Sequence, residues 1–229
     1  MRRMVLCVKS RLGRETVGRS QERVVCFDLG GVLLRGDPGL PGRLARLFGV
    51  SRVAIDRAVM DHAIADDLIL GVRTPRAACA VLNEAFGTTI SRAAFVRAWT
   101  RGLQSSTANV RFLRGLRRRH PDWTFATASN LDPMTHAKLL RSARWYQEID
   151  TRYISFQCRA AKPTAAFFRG LLRTLRCRPE RVFFIDDKQK NTAGARRLGL
   201  ATYRAIRGRP LGQSTWIRIH RWHKELVDQ

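Results

Sequence analysis

The sequence predicts an α/β protein: a Rossmann-like parallel sheet with helices on both faces and a small all-helical segment inserted after the first strand. Three observations predict it. Short apolar, β-branched or aromatic runs recur at 24–27, 123–128, 153–156 and 182–185, as strands buried on both faces require. Helical periodicity separates the later runs, and such alternation produces parallel pairing. Between the first and second runs, residues 38–105 show helix starts and no strand pattern.

The first run, Val24-Val25-Cys26-Phe27, ends at Asp28-Leu29-Gly30-Gly31, where paired glycines mark a sharp turn or a close approach to a ligand. Asp37-Pro38 reads as an N-cap followed by proline at the first helical position, and Ser51, Thr74-Pro75 and Ser91 give three further helix starts. Beyond Asn109 the pattern predicts a basic helix at 110–119, a strand at 123–128 ending at Ser129-Asn130, and a helix at 134–141. A strand at 153–156, a helix at 164–175 after Lys162-Pro163, and a strand at 182–185 ending at Asp186-Asp187 follow. A helix at 191–198 stopped by Gly199 and a last short strand at 201–203 complete the alternation. The expected organisation is a basic extension at 1–23, an α/β core at 24–37 and 106–207, a helical cap at 38–105, and a basic, aromatic tail at 208–229. In that tail Trp216, Ile217, Ile219, Trp222 and Leu226 suit an amphipathic helix packed back on the core.

A chain of 229 residues with 45% hydrophobic content can bury a sizeable core, which excludes a disordered protein. No apolar run approaches the ~18 residues of a membrane span. Lys and Arg number 43 against 18 Asp and Glu, a net charge of +25. Lysine occurs at 9, 138, 162, 188, 190 and 224 alone, so arginine carries most of the charge. Such a charge attracts polyanions, but the arginines are scattered along the chain. Nucleic acid is therefore a partner that the charge admits and the pattern does not favour. Five cysteines (7, 26, 79, 158, 177) with no CxxC pair indicate free thiols in a reducing compartment, hence the cytoplasm. The arginine-rich residues 1–23 leave organelle targeting open. His220 and His223 lack a third nearby ligand and read as a pair on a polar helix face.

The polar residues that carry chemistry follow the strands. In an open parallel sheet, ligands bind outside the carboxyl ends of the strands. Asp28, Ser129 and Asp186-Asp187 each follow an apolar run directly, and Lys162 follows one by a short loop. Acids converging on one crevice repel unless a cation neutralises them. Oxygen ligands without thiolate or imidazole indicate Mg²⁺. A carboxylate can act as a covalent nucleophile toward phosphorus, and a serine hydroxyl with a lysine ammonium can hold phosphoryl oxygens.

Val24 to Leu34, Thr127-Ala128-Ser129-Asn130, Ala161-Lys162-Pro163, and Val182 to Asp187 followed by Asn191 resemble, in order, the four motifs of the haloacid dehalogenase (HAD) superfamily. The helical segment is similar to the type 1 cap of its phosphatases. The resemblance implies that Asp28 is the nucleophile and a Mg²⁺ ligand. The Gly30 carbonyl and Asp187 would complete the metal site, with Asp186 as a ligand or a supporting acid. Ser129 and the amide of Asn130 would bind the phosphoryl oxygens, Lys162 would neutralise the transferring group, and Asn191 would order the fourth loop. The implied substrate is a small phosphorylated metabolite.

One position departs from the pattern. Most phosphatases of the superfamily carry an aspartate acid–base two residues after the nucleophile, where this chain has Gly30. Such catalysis contributes ~10²–10⁴-fold, or about 3–5 kcal/mol of barrier. Three readings follow: a phosphatase of esters whose leaving group needs little protonation, with Asp37 as a candidate substitute acid; a dehalogenase using Asp28 on carbon; or a member that binds a phosphorylated ligand or nucleic acid without turnover. Asp61, His62, Asp66, Asp67 and Arg73 fall in the helical segment, and the sequence leaves open whether they face the site or water. It also leaves the oligomeric state open.

Overall fold

The computed structural model describes residues 22–228. The expected basic extension, apart from its last two residues, lies outside them, as does Cys7. Five parallel strands form one sheet in the order β3-β2-β1-β4-β5: β1 (Val24–Phe27), β2 (Thr124–Ser129), β3 (Thr151–Ile154), β4 (Val182–Asp186) and β5 (Ala201–Arg204). β1 is central and all four of its residues are buried, which explains its unbroken apolar run.

Helices cover both faces. One layer packs α6 (Thr107–Arg119), α7 (Pro133–Ser142), α8 (Arg144–Gln147) and α12 (Gln213–Val227) against Val25 and Phe27. The other packs α10 (Ala165–Leu175) and α11 (Gln189–Arg196) against Val24 and Cys26. The alternation within β1 therefore feeds two separate cores. The tail is an amphipathic helix: Ile219, Trp222 and Leu226 of α12 are buried, and Trp222 Nε1 donates to the Glu180 carbonyl at 2.8 Å.

Between β1 and α6 lie α1 (Leu40–Phe48), α2 (Arg52–Asp61), α3 (Ile64–Leu70), α4 (Pro75–Phe86) and α5 (Arg92–Thr100), around a third apolar cluster that includes Leu44, Phe48, Ile64, Leu68, Leu82 and Phe95. Ser51, Thr74 and Ser91 cap α2, α4 and α5, each side chain accepting from the backbone NH three residues on, as expected. The first helix departs from expectation. Its N-cap is Gly39, not Asp37, and the Asp37 carboxylate instead takes the guanidinium of Arg43, with Nη1 2.9 Å from Oδ1.

Two further boundaries differ. The strand expected over 153–156 stops at Ile154, and Ser155–Cys158 turn into a short helix, α9. Ser155 Oγ accepts from the Leu131 NH at 3.0 Å and lies 2.7 Å from the Ile69 carbonyl. Its hydroxyl thus joins the β3 loop to α3 of the helical insert. The fourth-motif helix begins at Gln189 rather than at Asn191, which frees the Asn191 side chain for another contact.

Candidate active site

The register of the sheet assembles the site. Phe27 is level with Ile185 in β4, and the Asp28 NH donates to the Ile185 carbonyl at 2.8 Å, so the next residues on the two strands, Asp28 and Asp186, leave the sheet side by side. On the other flank Phe27 is level with Thr127, and Ser129 ends β2. Ser129 Oγ donates to Asp28 Oδ1 at 2.8 Å.

Lys162 closes the group. Its Nζ lies 2.8 Å from Asp28 Oδ1 and 2.6 Å from Asp186 Oδ2. The Lys162 loop is pinned by Asn130, whose side-chain amide donates to the Lys162 carbonyl at 3.0 Å and accepts from the Lys162 NH at 2.8 Å. The side chain of Asn130 is thus occupied in building the site.

The two acids of the fourth motif have different surroundings. Asp186 is fully buried, and Lys162 Nζ, Asn191 Nδ2 and the Lys188 NH all reach its oxygens. Asp187 is held, among the described residues, only at the rim, where Arg207 Nε donates to Oδ2 at 2.9 Å. Its Oδ1 is buried with no hydrogen-bond partner among the described residues. Carboxylate oxygens of Asp28, Asp186 and Asp187 lie within 4.8 Å of one another.

The electrostatics follow from this count. Burial pushes the Asp28 carboxyl above its ordinary range, and neighbouring Asp186 adds to that, against the pull of the Lys162 ammonium and the Ser129 hydroxyl. Burial alone lowers Lys162, but the two carboxylates outweigh it and hold the ammonium charged beyond its usual range. Burial dominates at Asp28 and the neighbouring acids dominate at Lys162, and a single buried cation facing two buried acids leaves excess negative charge. With the orphaned Asp187 Oδ1, the cluster fits a hard divalent cation bound through oxygens.

A cavity of about 500 Å³ opens on this cluster. Asp28, Gly30, Asn130 and Lys162 line it at the strand ends, Asp66 of α3 faces it from the helical insert, and Lys188, Lys190 and Arg207 complete its rim. Asp37 is not among the lining residues. Of the insert residues that the sequence left undecided, Asp66 therefore reaches the site, Asp67 pairs with Arg73 at 2.8 Å, and Asp61 and His62 are exposed. No local pattern distinguishes Asp66 from Asp67; the way α3 docks over the sheet does. A second groove, about 670 Å³ between α6 and α12, is lined by Arg111, Arg118, Arg119 and Trp216 without any acid.

The two glycines after Asp28-Leu29 differ. A β-carbon on Gly31, whose φ is +82°, would fall 2.3 Å from Asp187 Oδ2, whereas one on Gly30 would meet nothing within 4 Å. Gly31 is thus required by the close approach of Asp187, and Gly30 is not imposed by crowding.

No protein-family model and no curated protein matches the sequence. Solved structures do match. A HAD family enzyme, BT-2542 of Bacteroides thetaiotaomicron, solved with magnesium and inorganic phosphate, superposes with a TM-score of 0.73 at 22% identity, over 83% of this chain and 98% of that one. This chain has the HAD fold. A predicted HAD-like family hydrolase from Porphyromonas gingivalis gives a TM-score of 0.70 at 24% identity, over 91% and 99% of the two chains. The L-2-haloacid dehalogenase of Xanthobacter autotrophicus gives 0.58 at 17%, over 86% and 81%. No described helix is long and apolar enough to cross a membrane.

Proposed function

We propose that the protein is a Mg²⁺-dependent phosphomonoesterase working through an aspartyl-phosphate on Asp28, with the helical insert as its cap. The observation that carries this reading is the placement of Ser129 Oγ and Lys162 Nζ on one oxygen of Asp28, with the partnerless Asp187 Oδ1 alongside. Asp28, Asp187 and the Gly30 carbonyl would hold Mg²⁺, which supplies charge neutralisation for the phosphoryl oxygens when bound. The magnesium and phosphate in the BT-2542 structure support the same assignment.

Asp28 Oδ2 accepts no hydrogen bond among the described residues, so it is the oxygen to attack phosphorus. A P–O bond forms to Asp28 as the bond to the leaving oxygen breaks. Lys162 and Ser129 sit beside the charge that develops on the phosphoryl group. Water then attacks phosphorus, releasing inorganic phosphate and restoring the carboxylate. Asp186 does not face the reaction. Its oxygens are engaged in fixing Lys162 and the loop, which makes it a positioning residue.

Nothing at Gly30 can protonate the leaving oxygen, so the reading favours anomeric or acyl phosphates over alkyl esters. Hydrolysis of p-nitrophenyl phosphate and of a simple alkyl phosphate, with and without Mg²⁺, tests it. Mg²⁺-dependent release of the activated phenol and a deficit on the alkyl ester are expected. Activity surviving in Asp28→Asn would overturn the nucleophile assignment. Gly30 also supports a second reading, ligand binding without turnover, which predicts no release from folded protein at any Mg²⁺ concentration. The superposition on L-2-haloacid dehalogenase supports chemistry on carbon less well, because a gathered set of three acids suits a metal.

A further inference from the structure

We infer that the ligand of this cavity carries a second anionic group, beyond the phosphoryl group at Asp28, and that Lys188 and Lys190 bind it. The inference rests on the reading of Asp28, Ser129 and Lys162 as a phosphoryl site and adds the chemistry of the rest of the ligand: a phosphate or phosphonate whose organic part ends in a carboxylate or a further phosphate.

A single phosphoryl group is already provided for by Lys162, Ser129 and the metal-fitting acids. The cavity wall nevertheless carries three more cations: Lys188, Lys190 and Arg207. Lys188 and Lys190 have no ion-pair partner among the described residues and are exposed to the cavity mouth. Arg207 contacts Asp187 through Nε alone. Lys188 is the N-cap of α11 and Lys190 lies in its first turn, and the Lys188 NH is fixed on Asp186 Oδ1 at 2.8 Å. Both lysines thus ride on the loop that positions the buried acids.

Composition bears on this independently. In a chain where arginine supplies most of the positive charge, three of the six lysines (162, 188 and 190) line this one cavity. A surface charged only by compositional drift would carry arginine here as elsewhere. An ammonium is a compact cation with three rotatable donors, and it reaches an anion whose position shifts along a flexible ligand.

The test is equilibrium binding of a matched, non-hydrolysable pair, propylphosphonate and 3-phosphonopropanoate, to the full chain with magnesium chloride at ~0.15 M salt, where general attraction by the protein's charge is damped beyond ~8 Å. The carboxylate analogue is expected to bind about tenfold tighter, the scale of one charge-assisted contact. That preference should vanish in Lys188→Gln/Lys190→Gln and return in Lys188→Arg/Lys190→Arg, with an unchanged thermal midpoint verifying folding. Equal affinity of the wild type for the two compounds would overturn the second-anion inference and leave the phosphoryl site standing. Binding of neither compound would overturn both. A preference that persists in the glutamine variant would assign it to the overall charge and overturn the role of the two lysines.

Discussion

Lys162 Nζ lies closer to Asp186, at 2.6 Å, than to Asp28, at 2.8 Å. The buried acid is the anchor, and the contact to Asp28 is what it delivers. Asp186→Ala removes the anchor and also strips the Asn191 amide and the Lys188 NH of their acceptor. Lys162 keeps Asp28 as its partner, so the cost is that of the orphaned donors, about 1–3 kcal/mol for a buried one. A thermal or urea melt of Asp186→Ala should show a loss of that size together with loss of turnover. A variant as stable as the wild type would refute the anchoring role.

Gly31→Ala should be far more damaging than Gly30→Ala. The first places a methyl 2.3 Å from Asp187 Oδ2 at a positive φ, and the second enters open space. Loss of Mg²⁺-dependent activity in Gly31→Ala, with Gly30→Ala near wild type, is the expected pair of results in parallel assays.

The open space at Gly30 also makes a gain of function testable. Gly30→Asp puts a carboxyl on the same cavity wall as Asp28. If the missing acid limits the chemistry, kcat on an alkyl phosphate should rise by ~10-fold or more, toward the ~10²–10⁴ typical of general acid catalysis, with a smaller effect on p-nitrophenyl phosphate. Equal effects on both esters would show that protonation of the leaving group is not limiting.

Asp187 should report the metal directly. Its buried, partnerless Oδ1 costs stability that a bound cation relieves. Adding Mg²⁺ at ~100 times its Kd should stabilise the wild type by about 2.7 kcal/mol, read as a rise in thermal midpoint that EDTA reverses. Asp187→Asn should melt at the same temperature with and without the ion.

Histidines should set the acid limb of stability. Burial lowers His136, with the Arg152 charge adding to the effect and Asp132 opposing it; burial also lowers His120 and His223. The unfolded chain therefore takes up protons first as pH falls through the ordinary value of 6.5. Stability is full above that value and declines below it. The thermal midpoint should drop as pH falls below about 6.5, and His136→Gln, which loses the 2.8 Å contact to the Tyr146 hydroxyl, should show a shallower drop. An identical slope in the variant would remove His136 from the account.

Much of the fold was legible because the central strands are buried on both faces, and such strands are written as unbroken runs such as Val182 to Ile185. The residues of the candidate site were legible for a related reason: Asp28, Ser129 and Asp186 follow those runs immediately, so strand order and register bring them together. What stayed hidden depends on contacts between distant segments. Asp37-Pro38 has the local form of a helix cap, but Arg43 captures the carboxylate. Tyr153 to Phe156 continues an apolar pattern, but Ser155 turns the chain by bonding to Leu131 and Ile69. The side chain of Asn130 holds the Lys162 loop across thirty-two residues. Asp66 and Arg207 enter the cavity through the docking of α3 and the path after β5, which no spacing rule encodes.

The middle position of β1 has a consequence for how the chain is made. Val24 must meet Thr124 on one side and Val182 on the other, and the whole helical insert separates it from either. As the polypeptide leaves the ribosome, the segment bearing Asp28 has no neighbour to pair with until more than half of the protein has been translated. Distant pairings of this kind assemble slowly and leave sticky strand edges uncovered meanwhile. The insert, whose helices share a cluster of their own, can fold first and stand guard beside the waiting strand, so expression at reduced temperature or with chaperones should raise the yield of soluble protein.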